Sequence, residues 1–458
     1  MQYIGHVIED DGQHCRTGSS LGHYFRGLQY QDMAGIDDIG GQVYPQGEDE
    51  PTVGFMGQPR NGEFYHYGLA TLARSAAAIE HRKQGNAMCE IFGNYGWSEG
   101  VKLEKYLADH FLVRGINYFV PHAFSGKAFP DPDCPPHFYA HGHNPQYRHF
   151  GELMRYMNRV ATLTSSGKHQ VPVAILYHGE SEWADKDAMP FEKPLRALYD
   201  HQIDCHTLPA DIFTGPEHYR VTIGNPLIVN QQKYQTFVVP ACRYLSAAAA
   251  EGITKLMEAG LPVFFVDRMP EAVAETGEPI PEILRSAPCV ALNQLYGEVS
   301  QQVQNVPVLT PESNRVRLLH IHGDTELFFA VNEADIVYEG DIALPADGDC
   351  YLYDPWHNRC RPADIREGKV HLTLEPLKSV FIVFGDCEDL QEIPTYTGHE
   401  VELVTWQRSV CEGSVYPAFS EKKAVTLPDP LADEQPRFSG FVRYETNFPG
   451  KVIFVRKD

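Results

Sequence analysis

The chain has 458 residues, too many for one compact domain, so two to four domains are expected. Its 38 basic and 61 acidic residues leave a formal charge of −23, which argues against nucleic acid or an anionic membrane surface as a partner. Apolar residues make up 43% and aromatics 11%, an ordinary balance for a globular protein. No apolar run reaches the roughly 18 residues of a membrane span, and the N-terminus MQYIGHVIEDDGQ lacks the basic and apolar regions of a secretory leader.

From residue 1 to about 165, short apolar runs alternate with helical patterns. YIGHVIE (3–9) reads as a strand ending on a carboxylate, followed by AGIDDIGGQV (34–43), AMCEIF (87–92) and GINYFVPHAF (115–124). Between them, GLATLARSAAAIEHRKQG (68–85) and GVKLEKYLADHFLVRG (100–115) have helical spacing, with Leu103, Leu107, Phe111 and Leu112 on one face of the second. Strand–helix alternation of this kind predicts α/β architecture with buried parallel strands. Ser98 is a partial match to a cap for the helix that follows it. The segment FPDPDCPPHFYAHGHNPQYRHF (129–150) is a long proline- and histidine-rich loop of the sort that lines active sites; His137, His141 and His143 in it have no standard zinc spacing.

From about 170 to 300 the pattern is again α/β. VPVAILY (171–177), FVVPA (237–241) and LPVFFVD (261–267) read as strands, and an alanine-rich helix over 246–259 ends at Gly260. This predicts a small open doubly wound sheet without a GxGxxG or phosphate loop. LYHGESEWA (176–184) carries Glu180, Glu182 and Trp183, which favour a structural or rim role because they end the first strand of this second unit. From about 305, short alternating runs such as RVRLLHIHG and SVFIVFG predict a β-sandwich, and a further β unit begins near 400.

Ten cysteines are scattered at 15, 89, 134, 205, 242, 289, 350, 360, 387 and 411, none in a CxxC pair; even Cys350 and Cys360 are not spaced for zinc. Reduced, mostly buried thiols in a cytoplasmic protein are the expectation.

Four successive runs of the first segment each deliver a polar side chain near one rim: Glu9, Asp37 with Asp38, Glu90 and His122. In parallel α/β barrels that rim is where active sites form. A glycosidase needs two carboxylates across the scissile bond and aromatic surfaces for sugar rings, and Asn94, Tyr95 and Trp97 follow Glu90 closely.

Four motifs in this order, GHVIE (5–9), AGIDDIGG (34–41), CEIFGNYGW (89–97) and RGINYFVPHAFS (114–125), resemble the C-terminal half of a glycoside hydrolase TIM barrel. The likeness is to bacterial α-L-rhamnosidase-type barrels and, in architecture, to β-galactosidases with a trimerisation domain. VPVAILYHGESEW (171–183) resembles the first strand of the amidotransferase-like domain of the latter, and RYETNF (443–448) the opening of a galactose-binding-like jelly roll.

The resemblance implies an α/β fold of several parts. Residues 1–165 would be a partial (β/α)8 TIM-like barrel and 166–300 a flavodoxin- or glutamine-amidotransferase-like α/β domain. A β-sandwich over 301–390 and the start of a truncated jelly-roll sugar-binding domain over 391–458 would follow. Glu90 would be base or nucleophile and Glu9 the acid, with His6, Asp37, Asn94, Tyr95, Trp97 and His122 as substrate-binding residues. An oligosaccharide or glycoside is the expected substrate, with no cofactor, no metal, and no nucleic-acid or membrane partner. Only about four barrel strands are present, so the chain reads as a piece of a longer enzyme, with a homo-oligomer covering the open barrel edges. The rival expectation is a carbohydrate-binding or scaffold remnant without catalysis.

Overall fold

The computed structural model describes residues 2–6, 22–49, 61–385 and 402–447, together with two short strands at 52–53 and 59–60. Glu9 lies outside the described residues. Three parallel strands form the first sheet in the order β1 (Ala34–Ile39), β2 (Ala87–Gly93), β3 (Tyr118–Pro121). Asp37 stands in register with Glu90, and Glu90 with Val120. The expected YIGHVIE strand is not formed within residues 2–6, but that stretch runs beside β1. Tyr3 O accepts the Asp32 N–H at 2.8 Å, and a Cβ on Gly35 would lie 2.0 Å from Gly5 O. Glycine at position 35 is therefore what lets the two backbones approach.

Helix α1 (Tyr24–Leu28) precedes β1, α2 (Leu69–Ile79) joins β1 to β2, and α3 (Val101–Val113) joins β2 to β3. The N-cap of α3 is Gly100 rather than Ser98. Its first N–H, on Val101, is satisfied by Gln146 Oε1 at 2.8 Å, from the loop before α4 (Tyr147–Thr164). At the other end, Ile116 N–H reaches Phe111 O and Gly115 N–H reaches Leu112 O, with Gly115 at φ +86°, a Schellman termination.

The second sheet is five-stranded and parallel, in the order Cys289–Val290, Val263–Val266, Thr236–Val239, Val173–Tyr177, Cys205–Pro209. Numbered along the chain and read from the Cys205–Pro209 edge, this is 2-1-3-4-5, the flavodoxin-like strand order. The helix Ala247–Glu258 starts on Ser246, whose hydroxyl accepts Ala249 N–H, and stops before Gly260 at φ +81°. Helix α2 explains how the two sheets become one body. Every residue in it except Ala78 is buried, because one face lies on the first sheet and the other on the edge strand of the second. There Ser75 Oγ accepts the Thr207 N–H at 2.9 Å and Arg74 grips Asp204 with two nitrogens, at 2.8 and 2.7 Å.

A sandwich of two antiparallel sheets follows. A four-stranded sheet (Val308–Thr310, Tyr338–Ala343, Lys369–Leu374, Asp364–Arg366) faces a six-stranded one. Leu309, Val316, Phe328, Ile342 and Ile382 form the core between them. The six-stranded sheet begins from Lys168–His169, which pairs with Val316–His322, so the chain enters this layer long before residue 301. Its other face packs on the α/β core, and the ELFFAVN strand is buried on both sides. A buried ion network ties this interface: Glu333 accepts from Arg114, the C-cap of α3 (2.6 Å), and from Arg317 (3.1 Å). The last described unit is a three-stranded antiparallel sheet, Lys423–Thr426, Thr405–Glu412, Gly440–Glu445.

Among the eight described cysteines five are buried, Cys350 included. No described helix is long and apolar enough to cross a membrane.

Candidate functional site

Strand β2 does not stop on Glu90; it runs three residues further, to Gly93. Glu90 is nevertheless the one position of β2 that is not fully buried, its side chain 27% exposed. Neighbouring parallel strands in register point their side chains to the same face, so Asp37 of β1 sits beside it. Asp37 is buried at 3% exposure. The third member arrives from the segment alongside β1: His6 Nε2 lies 3.0 Å from Glu90 Oε2. One ligand atom each from His6, Asp37 and Glu90 falls within 4.8 Å of the others, a donor set able to hold a divalent cation. His122, just past β3, donates its backbone N–H to Ile91 O at 2.9 Å, and its ring lies against Gly93.

This arrangement sets the charge of Glu90. The hydrogen bond from His6 holds its carboxyl below the usual carboxylate range, partial burial opposes this, and His6 and His122 add electrostatic pull in the same direction. Glu90 is therefore an anion at neutral pH, and the His6 ring must donate to it. Cys89, next in the strand, is no competing nucleophile, because burial pushes its thiol well up.

The loop after β2 is organised from the opposite face of β1. The Tyr95 hydroxyl lies 2.9 Å from Asp38 Oδ1 and 2.8 Å from Val43 O, and it accepts Val43 N–H at 3.2 Å. Tyr95 is thus an anchor for the loop, with its hydroxyl turned away from Glu90. Asn94 takes a left-handed turn, φ +57°, that begins the loop. Trp97 is 43% exposed, with Phe129 and His137 packed edge-on against it at 5.4 and 5.7 Å. The structure therefore brings His6, Asp37, Glu90 and His122 together and sets Trp97 on an exposed loop nearby in sequence.

Two further groups of charged residues stand out, the first all but unmarked in the sequence and the second around Glu180, for which the sequence suggested a structural or rim role. Glu99 and Glu104 are buried carboxyls, pushed up to about 9 and about 7 by loss of solvent, with mutual repulsion adding to the first. Only the position of Glu99 directly after the loop hinted at this. The second group surrounds Glu180, which pairs with Arg26 of α1, while Arg26 also grips Asp211 at 3.0 Å. His23 stands 3.9 and 3.7 Å from these two carboxylates. Its Nδ1 accepts the Arg26 N–H, which fixes the proton on Nε2 and leaves no lone pair there for a metal. The loop histidines are used internally: His137 Nε2 bonds Asp133 O and His141 Nε2 bonds Lys127 O.

A rhamnosidase from Novosphingobium sp. PP1Y superposes with a TM-score of 0.62 at 16% identity, over 93% of this chain and 42% of that one. The GH42 β-galactosidase Gan42B from G. stearothermophilus superposes with a TM-score of 0.53 at 10% identity, over 79% of this chain and 60% of that one. The chain shares the fold of these glycoside hydrolases. It spans less than two thirds of the length of either. No family model matches the chain, and no curated protein matches its sequence.

Proposed function

We propose that the chain hydrolyses an O-glycosidic bond of a plant or host glycan, with Glu90 as nucleophile or base and Glu9 as acid. The observation that carries this reading is Glu90 itself: a carboxylate on a parallel strand, kept ionised by His6, partly open to solvent, and beside Asp37. The fold likeness to a rhamnosidase and a β-galactosidase supports it. In this reading β1 to β3 with α2 and α3 are the C-terminal half of a (β/α)8 TIM-like barrel, and the second sheet is the flavodoxin- or amidotransferase-like domain. The sandwich and a partial jelly roll complete the chain.

A glycosidic bond breaks through an oxocarbenium-like transition state. An anionic Glu90 attacks the anomeric carbon or takes the proton of the attacking water. Glu9, protonated, gives a proton to the leaving oxygen. Asp37 and His122 accept and donate to sugar hydroxyls, and the exposed Trp97 ring stacks on a sugar face.

A second copy of the chain would cover the open edge beyond β3, where Tyr118 and Val120 are 49% and 44% exposed. Cysteines that are mostly buried fit a reducing compartment such as the cytoplasm.

The deciding experiment is turnover of a panel of aryl glycosides, with galactoside and rhamnoside among them, by the chain and by Glu90→Gln. The expected result is release of phenol by the chain and loss of at least three orders of magnitude in the variant, with an unchanged circular dichroism spectrum. Near-normal turnover by Glu90→Gln would sink the assignment. The exposed Trp97 ring also suits one alternative, a carbohydrate-binding chain without catalysis. Saturable glycan binding with no sugar release would establish that alternative instead.

A further inference from the structure

Beyond Trp97, the loop that follows β3 and the last sheet enclose a cleft of about 520 Å³. One wall is an aromatic pair: Phe129 and His143 stack with centroids 4.2 Å apart and planes 10° from parallel, and both line the cleft. Phe129 is 39% exposed and meets the Trp97 ring edge-on at 5.4 Å, so the cleft starts one ring away from Trp97 of the loop after β2. The opposite wall comes from the terminal sheet and its connecting turn, with Glu412, Gln435 and Arg437 exposed on it. The walls are fixed to one another. A Cβ on Gly413 would lie 3.0 Å from His143 O, and the Arg148 guanidinium sits 3.6 Å above the Tyr416 ring.

The chemistry of this cleft selects its ligand. A flat aromatic surface matches the C–H face of a sugar ring. A carboxylate accepts from two neighbouring hydroxyls, while an amide and a guanidinium donate to ring and hydroxyl oxygens. One acid and one base at the rim give neither a cation nor an anion an advantage. The volume lies within the range of small-molecule sites.

We propose that this cleft is a further sugar subsite, binding a neutral pyranose unit of an oligosaccharide whose reacting end lies at Glu90. The proposal rests on the glycosidase reading for the word subsite, and on the cleft alone for sugar binding. It assigns the proline-rich loop and the terminal sheet a joint role, and it makes a chain of several sugars, rather than a lone monosaccharide, the preferred ligand.

The test is calorimetric titration of the full chain, in the Glu90→Gln background so that no probe is consumed. The probes are neutral linear oligosaccharides of two to six galactose, glucose, mannose or rhamnose units. At least one is expected to bind, with Phe129→Ala weakening it tenfold or more, Glu412→Gln weakening it several-fold, and Phe129→Tyr restoring the parent affinity. Recovery by tyrosine separates loss of a stacking ring from loss of fold. Unchanged affinity in Phe129→Ala, or no binding of any probe, overturns the subsite whatever the outcome of the aryl glycoside assay. Phe129-dependent binding by a chain that releases no sugar overturns the glycosidase reading and leaves the cleft as a binding site.

Discussion

His6 Nε2 stands 3.0 Å from Glu90 Oε2, although 84 residues separate them along the chain. The contact joins a stretch with no regular secondary structure to a central strand, and it decides the protonation state of the carboxylate proposed to act. A group whose folded pKa is depressed stays charged to lower pH. Removing the donor therefore moves its titration upward.

The first prediction is that His6→Ala raises the acid limb of the pH–rate profile. A hydrogen bond to a charged group contributes about 1.5–3 kcal/mol, about one to two pKa units, so kcat/KM should fall roughly 10- to 100-fold only at the acid end of the profile, below the pKa of Glu90 with its partner. The deficit should shrink towards pH 8, where Glu90 is ionised with or without its partner. A uniform loss across pH would show that His6 acts on the substrate rather than through Glu90.

Tyr95→Phe tests the anchoring of the loop. The substitution takes one donor from the fully buried Asp38 and breaks the link to Val43. A buried polar group left short of a partner costs about 1–3 kcal/mol, read as a lower urea midpoint with an unchanged slope. A variant with unaltered stability would mean that the hydroxyl serves the ligand instead.

What was legible follows from the kind of signal each residue leaves. Asp37 and Glu90 break apolar runs, which marks them in a one-dimensional pattern, and the helix over 101–113 announces itself by spacing and a terminal glycine. Tyr95 sits in an aromatic, glycine-rich loop that reads like a sugar pocket, yet the strand alternation placing Asp38 behind β1 turns its hydroxyl inward. Helix α2 looks like a barrel helix with one buried stripe. Its alanines and serine give no sign of the second sheet on the other side. Glu99 and Glu104 look like surface acids at a helix start, because burial, which keeps them neutral, is a property of the fold and not of the sequence.

These two acids give a stability prediction. Their folded pKa values are raised above the unfolded value near 4.5, so the folded state holds protons that the unfolded state has lost. Stability then falls as pH rises from about 4.5 towards 7 for Glu104 and towards 9 for Glu99. Glu99→Gln removes one term, and its melting temperature should exceed that of the parent by more at pH 8 than at pH 5. An equal gap at both pH values would mean that Glu99 is ionised in the fold.

The interface between the α/β core and the sandwich depends on Glu333. Its carboxylate lies between two buried guanidiniums, Arg114 and Arg317, and close to His110 at 2.9 Å. Arg114 and His110 hold it well below the ordinary carboxylate range against the cost of burial. Glu333→Ala leaves both cations without their shared partner, and breaking a buried pair in this way costs about 3–5 kcal/mol. Urea unfolding should show that loss, and limited proteolysis should cut first between the core and the sandwich. A loss under 1 kcal/mol would mean that water or Asp200, 2.9 Å from Arg317, takes over.

The last prediction links a backbone contact to the site. Gly35 has no Cβ, and one placed there would lie 2.0 Å from Gly5 O and 3.0 Å from His6 N. Backbone atoms cannot yield as a flexible side-chain tip can, so Gly35→Ala must push residues 5 and 6 off β1. Position 35 itself lies in a strand, where alanine is acceptable, so the first sheet should survive. The expected outcome is a chain with near-parent secondary structure whose acid limb shifts upward as in His6→Ala. The double variant should be little worse than either single one, because both act on the same hydrogen bond. Additive losses would show that Gly35 and His6 serve Glu90 by separate routes.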